Sequence, residues 1–419
     1  MNNTQFDDLN KSVMQSVINE PLSNIHYHVI GISNSPQFVL NDELKQVISE
    51  HTLFSGGKRH YELVKNELPK NHKWIEISGN MTSLFLKYKD QSVSSIVIFA
   101  SGDPLFYGFA ATIQKFHAEA SIKVYSTFNS LQILAQKNNI SYQKIINTSV
   151  HGREWNELDQ ALIRQEDLIG ILTDHIKNPA VIAQRMLEYH FDNYSMIVGE
   201  SLDGIDEKIT TLTLEEAINK SFNSLNCVLL IKQEIKQKQF GIPDNEFIGL
   251  ENRPGMITKM PIRLVTLSQL DLINKKTFWD IGFCTGSVAI EAKKQFPHLS
   301  ILAFEIREEC DTLFDINTKK LSVPGIQKIM GDVFEKDWSG FDSPDSIFIG
   351  GHGNQLEKLI LRLDEVIQPK GRIVLNAVKK ESKDQFISTL SKLDYTLFEP
   401  ISVQVDEFNP ITILTAEKE

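Results

Sequence analysis

The sequence predicts an α/β protein of two domains, and three observations carry that prediction. β-Branched apolar runs recur along the whole chain and alternate with stretches whose apolar residues repeat at helical spacing. A length of 419 residues holds two cores of about 100–200 residues each. One polar stretch, KQEIKQKQ at 232–239, breaks the alternation directly after an apolar strand. The domain boundary is expected there, as a flexible linker or as a continuous charged helix. The expected organisation is an N-terminal extension over 1–24, a first domain over 25–231, a linker over 232–240 and a second domain over 241–419.

Within the first domain, IHYHVIGI, KWIEI, SSIVIFAS and IKVYS read as strands, with helical stretches such as NDELKQVISE between them. In NPAVIAQRMLEY, Asn178 is placed to cap a helix and Pro179 to occupy its first turn, with Ile182, Met186 and Leu187 on one buried face. SMIVGE and NCVLLI are two further strands, and Cys227 in the latter is a core residue. In the second domain KTFWDIG, LSILAFEI, IQKIMGD, DSIFIGG and GRIVLNAV are five strands separated by helices, the pattern of a doubly wound parallel sheet.

Composition narrows the function. Hydrophobic residues at 41% and charged residues at 23% exclude a disordered or fibrous chain. No apolar run approaches the roughly 18–20 residues of a membrane helix, and the N-terminus MNNTQFDDLNKSVMQ lacks a signal-type apolar segment. A cytoplasmic protein with no membrane partner is expected. The three cysteines are scattered, fitting neither a disulfide framework nor a zinc site, and no metal is expected. A net charge of −11 gives no general attraction to nucleic acid, so an anionic substrate has to be held by local basic clusters.

The strongest chemical signal is WDIGFCTGS at 279–287, an acidic residue and two glycines at a strand-to-helix turn, where missing side chains let a ligand approach the backbone. Glu305 ends the next strand, 19 residues after Gly286, where a carboxylate can accept from both ribose hydroxyls of a nucleoside. A third strand ends at Gly331, Asp332 and Val333, where an adenine ring can be flanked. Together these resemble the Rossmann-like methyltransferase superfamily, whose first-strand motif is Asp-x-Gly-x-Gly-x-Gly. Cys284 stands at the middle glycine, which costs about 1 kcal/mol or more if that position requires positive φ.

In the first domain ASGDPLFYG at 100–108 follows a strand directly and places Gly102, Asp103 and Pro104 at its C-terminal end, where ligands of open α/β sheets bind. Taken alone, Asp103 reads equally as a helix cap. Its company is SGGKRHYEL at 55–63, STFNSLQ at 126–132, VHGRE at 150–154 and GILTDHIKNPAVIA at 170–183. That ordered set resembles the tetrapyrrole methylase fold, in the form that methylates carbon 5 of a late corrin precursor. In the second domain GIPDNEF, GMITKMPIR, WDIG, GD, PDSIFIGG and LNAV follow in the order of its fused partner. Over about 25–400 the chain thus resembles the decarboxylating precorrin-6Y C(5,15)-methyltransferase family or its cobalt-precorrin counterpart.

The resemblance implies two S-adenosyl-L-methionine sites. The first involves Ser101, Gly102, Asp103, Phe106, Asn129, Ser130 and Thr173. The second involves Thr258, the turn formed by Gly282, Phe283, Cys284, Thr285 and Gly286, then Glu305, Asp332 and Val333. Of the glycine-rich first loop usual in the tetrapyrrole methylase fold, which here reads GISNSPQ, only Gly31 is retained. It further implies methylation of carbons 5 and 15 of the corrin precursor, with loss of the ring C acetate carboxyl at the second site.

Methyl transfer from a sulfonium is an in-line displacement, for which the protein supplies orientation, exclusion of water and charge stabilisation. A carboxylate-rich substrate needs cations. Lys58, Arg59, His60 and Arg153 are the candidates in the first domain, and Lys259, Arg263, Lys379 and Lys380 in the second. Each also reads as a solvated surface charge. His151 is a candidate for moving a proton, and His352 follows a strand end where substrate should lie; both also read as turn residues. The candidate catalytic residues are His151, Arg153 and His352. A homo-oligomer is expected. The rival readings are methylation of RNA or another small molecule, and a half-active chain in which GISNSPQ no longer supports the first site.

Overall fold

The computed structural model describes residues 25–35, 39–91, 93–237 and 239–419. The expected extension over 1–24, Pro36 and Gln37 of GISNSPQ, and Lys238 of the expected linker lie outside them.

Three sheets carry the chain. The first is all parallel, built from β1 (His26–Ile32), β2 (Leu53–Gly56), β3 (Lys73–Glu76), β4 (Ser95–Ser101) and β5 (Ser121–Tyr125) in the order β3-β2-β4-β1-β5. Helices α1 (Asp42–Ser49), α2 (Lys58–Val64), α3 (Met81–Lys89) and α4 (Phe109–Phe116) connect the strands. Both faces of this sheet are covered: Tyr27, Val29, Ile96 and Ile98 fill one core, and Ile30, Phe54, Val97 and Phe99 the other. Ile32 pairs with Ser101, so the predicted ligand end of β4 lies level with the end of β1.

After α5 (Ser130–Lys137) comes a mixed sheet of β6 (Ile146–Ser149), β7 (Leu168–Leu172), β8 (Tyr194–Glu200), β9 (Lys208–Leu212) and β10 (Asn226–Lys232), in the order β6-β7-β10-β8-β9. Only β6 and β7 run parallel; β10 and β9 pair antiparallel with their neighbours. Helices α6 (Asn156–Arg164) and α7 (Pro179–Glu188) and the short α8 (Leu214–Ala217) pack on it. Asn178 caps α7 through its side chain and Pro179 opens it, as the sequence predicts. Ile182 and Met186 are buried, whereas Leu187 is half-buried at the edge of the same cluster.

Between Lys232 and a 3-10 turn at Asp244–Glu246 the described residues form neither helix nor strand. The charged-helix alternative for 232–239 therefore does not hold, and Lys232 itself closes β10.

In the last sheet, β11 (Thr277–Ile281), β12 (Ser300–Glu305), β13 (Ile326–Met330), β14 (Ser346–Ile349) and β15 (Arg372–Ala377) are the five predicted strands. They run parallel, with α9 (Met260–Leu270), α10 (Ser287–Gln295), α11 (Glu309–Lys320), α12 (Leu356–Asp364) and α13 (Lys380–Leu390) as helices. Three strands were not predicted: β16 (Tyr395–Leu397), β17 (Ile401–Val403) and β18 (Ile411–Lys418), all antiparallel. The order is β13-β12-β11-β14-β15-β18-β16, with β17 also on β18. The winding direction reverses between β11 and β14, which opens the crevice where open α/β sheets bind ligands. No described helix is long and apolar enough to cross a membrane.

Candidate functional sites

At the C-terminal crevice the backbone turns through left-handed conformations at three alternate positions, with φ of 80° at Gly282, 51° at Cys284 and 77° at Gly286. A side chain on Gly282 would meet the Gly351 amide nitrogen at 2.7 Å, so this glycine lets the turn after β11 pass against the turn after β14. The strain expected of a side chain at the middle position is present at Cys284. Its amide donates to Glu305 Oε2 at 2.9 Å, while Glu305 Oε1 accepts from the amides of Ile306 and Arg307, both at 3.0 Å. Glu305 is buried. It therefore builds the turn.

Several buried polar atoms around this crevice have no partner: Asp280 Oδ1, Thr285 Oγ1, His352 Nδ1 and the side-chain amide of Asn376. The other oxygen of Asp280 accepts from the Ala289 amide at 3.0 Å. Burial, reinforced by the charge of Glu305, pushes the Asp280 carboxyl up to about 7. At Asn376, Thr266 Oγ1 lies 2.8 Å from the Ile262 carbonyl and 3.1 Å from the Asn376 amide oxygen. Its single proton serves one of them, so one end of the Asn376 amide stays unpaired in either orientation. Native interiors rarely leave buried polar groups unpaired, and these four gather near the C-terminal ends of β11, β14 and β15. Asp332 Oδ1 accepts from the Phe334 amide at 2.9 Å, which turns the chain and leaves Val333 half-buried beside the crevice. His352 Nε2 lies 3.3 Å from Ser382 Oγ, and burial with nearby Lys379 holds its imidazole below the ordinary histidine range.

Arg263 corrects the sequence reading. It is fully buried, paired with Glu291 at 3.2 Å and Asp244 at 3.3 Å, and donates to the Thr258 carbonyl at 2.7 Å and to the Ile242 carbonyl. Four of its five N–H donors are engaged inside the domain and the side chain is fully buried, so it is not presented to a substrate carboxylate. It anchors the segment carrying Thr258, and its immersion depends on a carboxylate 28 residues away, which no local pattern announces. Lys259 is partly exposed, 3.7 Å from Asp244 and over the Phe408 ring. Lys379 and Lys380 are exposed at the start of α13.

At the end of β4, Ser101 Oγ lies 2.6 Å from Arg59 Nη2 and 2.9 Å from His60 Nε2. His60 Nδ1 accepts from the Gly57 amide at 3.1 Å, so in the neutral ring the proton sits on Nε2. Burial, with help from the Arg59 charge, pushes the His60 imidazole down to about 4. With both neighbours donating to Ser101, its own proton is free to point into the cleft. Arg59 also donates to Asn34 Oδ1 at 2.7 Å, a residue the sequence reading passed over. Lys58 is exposed beside them.

Other residues carried over from the resemblance have local structural duties. A side chain on Gly31 would meet the Gly102 carbonyl oxygen at 2.0 Å: the space above Gly31 is filled by the turn after β4 rather than open to a ligand. Asp103 Oδ1 accepts from the Leu105 amide and from Ser126, shaping that turn. Asn129 caps α5 in a reciprocal box with Gln132, and Ser130 is the first residue of that helix. The Thr173 hydroxyl is engaged by Asn226. Phe106 packs against Tyr107, whose hydroxyl bonds Glu157 at 2.9 Å and so ties the turn after β4 to α6. Tyr107 and Glu157 were not singled out from sequence, because their contact joins residues 50 apart. His151 Nδ1 donates to the Thr173 carbonyl at 2.7 Å, leaving Nε2 as an exposed acceptor, and Arg153 lies exposed between Glu157 and the Tyr107 ring.

Residues 251–416 match the sequence profile of a family described as a precorrin methyltransferase domain. Over 392 residues, 93% of each chain, the protein is 26% identical to a precorrin-6Y C(5,15)-methyltransferase [decarboxylating] of a Sinorhizobium species. Over 156 residues, 37% of this chain and 80% of the relative, it is 35% identical to a protein of Sulfurisphaera tokodaii named probable cobalt-precorrin-6B C(15)-methyltransferase (decarboxylating). Among solved structures it resembles a precorrin-6Y C5,15-methyltransferase of Geobacter metallireducens, at 32% identity and TM-score 0.40 over 43% of this chain and 98% of that one. The chain therefore belongs to the decarboxylating precorrin C-methyltransferase family, its full length matching the precorrin-6Y C(5,15) enzymes and its C-terminal half the shorter C(15) enzymes.

Proposed function

We propose that the chain is a bifunctional, S-adenosyl-L-methionine-dependent C-methyltransferase of cobalamin biosynthesis. It methylates carbons 5 and 15 of one late corrin precursor and removes the carboxyl of the ring C acetate. Residues 25–231 carry the carbon 5 step, and residues 241–419 carry the carbon 15 step with decarboxylation. The observation that carries this reading is the set of unpartnered buried polar atoms at the switch point of the last sheet, within residues 251–416 that match the precorrin methyltransferase domain.

The residues of the C-terminal crevice fit the cofactor. Glu305 keeps lone-pair capacity for ribose, Asp280 Oδ1 awaits a donor or a cation, and Gly282 and Gly286 let a ligand lie against the backbone. S-Adenosylmethionine, when bound, supplies an electrophilic methyl group. The protein orients that methyl and the ring carbon in line and excludes water between them. Lys259, Lys379 and Lys380 hold substrate carboxylates by charge, and His352 Nδ1 is positioned to exchange a proton with the ring. In the N-terminal cleft Ser101 offers its hydroxyl proton, Arg59 and Lys58 attract carboxylates, and His151 Nε2 accepts a proton. Cofactor contacts there rest on Gly102, Asp103, Phe106, Asn129, Ser130 and Thr173.

Mass spectrometry of products from the purified chain, metal-free or cobalt-loaded precursor and S-adenosylmethionine tests the reading. Two methyl groups gained and one carbon dioxide lost is the expected result; a product unchanged in mass rejects it. A second reading, in which only the C-terminal half is active, draws support from the filled space above Gly31 and the engaged Thr173 hydroxyl. Calorimetric titration separates the two, since the bifunctional chain binds two equivalents of S-adenosylmethionine and the half-active chain one.

A further inference from the structure

The two halves are joined through the edges that face away from their candidate sites. In the middle sheet Ile231 pairs with Leu168, the first residue of β7, and Lys232 with Tyr194, the first residue of β8. The chain thus leaves that sheet at the end remote from Leu172, Thr173 and His151. It enters the last domain at Ile242, whose amide donates to Glu291 at 2.7 Å, just after the Gln239 carbonyl receives Gln295 at 3.3 Å. Glu291 and Gln295 occupy the second half of α10, whose first residue follows the turn at Gly282–Gly286. Entry is therefore at the edge where the parallel strands begin.

Contacts between the halves lie on that same edge of the last sheet. Asp159 on α6, almost fully buried, holds Arg185 on α7 through two bonds of 2.7 and 3.0 Å. Its Oδ2 is only 3.0 Å from where a Cβ on Gly325 would stand, and Lys293 of the last domain lies beside Gly325 with its Nζ on the Leu299 carbonyl. Lys319 on α11 reaches Glu188 on α7 at 3.9 Å. Gly325 and Leu299 lead into β13 and β12, whereas Gly282–Gly286, Glu305 and His352 stand beyond the far ends of β11, β12 and β14.

A five-residue strand is about 17 Å long, so the C-terminal crevice stands about that far from these contacts. Methyl transfer requires reacting atoms about 3–3.5 Å apart. Asp159 and Lys293 are both buried where the two halves pack near Gly325, and exposing them would oppose the swing that would bring the two sites together. Resting on the proposed function, we propose that the two methylations are distributive: the singly methylated intermediate leaves one site, equilibrates with solvent and rebinds at the other site of the same chain or of another.

Isotope dilution on the unaltered full chain tests this. Unlabelled singly methylated intermediate, made with a chain inactivated at one site, is added in tenfold excess over precursor carrying an isotopic label in its ring. Turnover proceeds with S-adenosylmethionine. The expected result is about tenfold dilution of the label in the doubly methylated product formed early in the reaction. Full label in that product, whatever the excess, shows transfer without release and overturns the proposal. Absence of doubly methylated product with or without added intermediate instead removes the bifunctional reading on which it rests.

Discussion

The amide of Cys284, held in a left-handed turn at φ 51°, donates to the buried carboxylate of Glu305 at 2.9 Å. One side chain thus closes the turn after β11 from the neighbouring strand, and the strain at Cys284 is held in place by that bond. Cys284→Gly relieves the left-handed penalty of about 1–2 kcal/mol and gives back part of it in unfolded-state entropy. Its thermal midpoint should equal or exceed that of the parent, while Cys284→Val should fall clearly below it. A glycine variant markedly less stable than the parent contradicts the role given to this bond.

Because Glu305 builds the turn, Glu305→Ala should lose both S-adenosylmethionine binding at the C-terminal site and folding stability, the latter by about 1.5–3 kcal/mol for loss of a charged acceptor. Glu305→Gln keeps one acceptor oxygen but sets its NH2 against a backbone N–H on the other side, and should recover only part of the stability while binding the cofactor more weakly. Chemical denaturation and calorimetry on the same samples separate the two effects. Equal stability of Glu305→Ala and parent would show that the turn does not depend on this carboxylate.

Asp280 gives the C-terminal site a pH signature. Its folded pKa, raised to about 7, lies above the ordinary carboxylate value of 3.8, so its contribution to stability is complete below about pH 4 and is lost as pH rises through 7. The thermal midpoint of the parent should therefore fall between about pH 4 and 7 more than that of Asp280→Asn, and level off above 7. Cofactor affinity at this site should change around pH 7, where the folded carboxyl loses its proton. A parent and Asp280→Asn with superimposable pH profiles exclude this assignment.

His60 works in the opposite sense. Its folded pKa, lowered to about 4, lies below the ordinary 6.5, so acidification from 6.5 toward 4 favours the unfolded chain, which takes the proton first. Above pH 6.5 the contribution is constant. His60→Gln should flatten the loss of stability across that window, read by thermal unfolding at half-unit steps. An unchanged acid limb would mean that other groups set it.

Arg263 should prove a residue of stability. Arg263→Met leaves Glu291 buried and unpaired and should cost about 3–5 kcal/mol, and Arg263→Lys should rescue little because one ammonium cannot serve carboxylates and carbonyls on several sides. Denaturant unfolding gives the loss. A stable Arg263→Met chain with a raised KM for the corrin substrate would return the residue to the binding site.

Local signals made most of the strands legible. β1, β4, β8, β10 and the five parallel strands of the last sheet contain apolar runs rich in β-branched residues, whereas Gly170 interrupts LIGIL and β7 went unread, and the Gly282–Gly286 turn with Glu305 was readable from spacing alone. β2 escaped because LFSG has four residues, and β18 because ITILTAEK ends in charge. The antiparallel pairing of β10 had no sequence signal, since αβ alternation precedes it and only the partner strand fixes direction. Within the sites, what stayed hidden was long-range: the pairing of Arg263 with Glu291, the Tyr107–Glu157 bond and the Gly102 carbonyl over Gly31 each join segments far apart in the chain.

β18 lies inside its sheet, hydrogen-bonded to β15 on one side and to β16 and β17 on the other, although it is the last element in chain order. During synthesis the first two sheets can assemble as soon as their strands emerge, but the third has an open edge along β15 until residues 411–418 arrive. The nascent second half is thus exposed to strand-pairing errors for the whole time of its translation. A ribosome that stalls or terminates shortly before this strand releases a chain whose first half is finished and whose second half has no way to close.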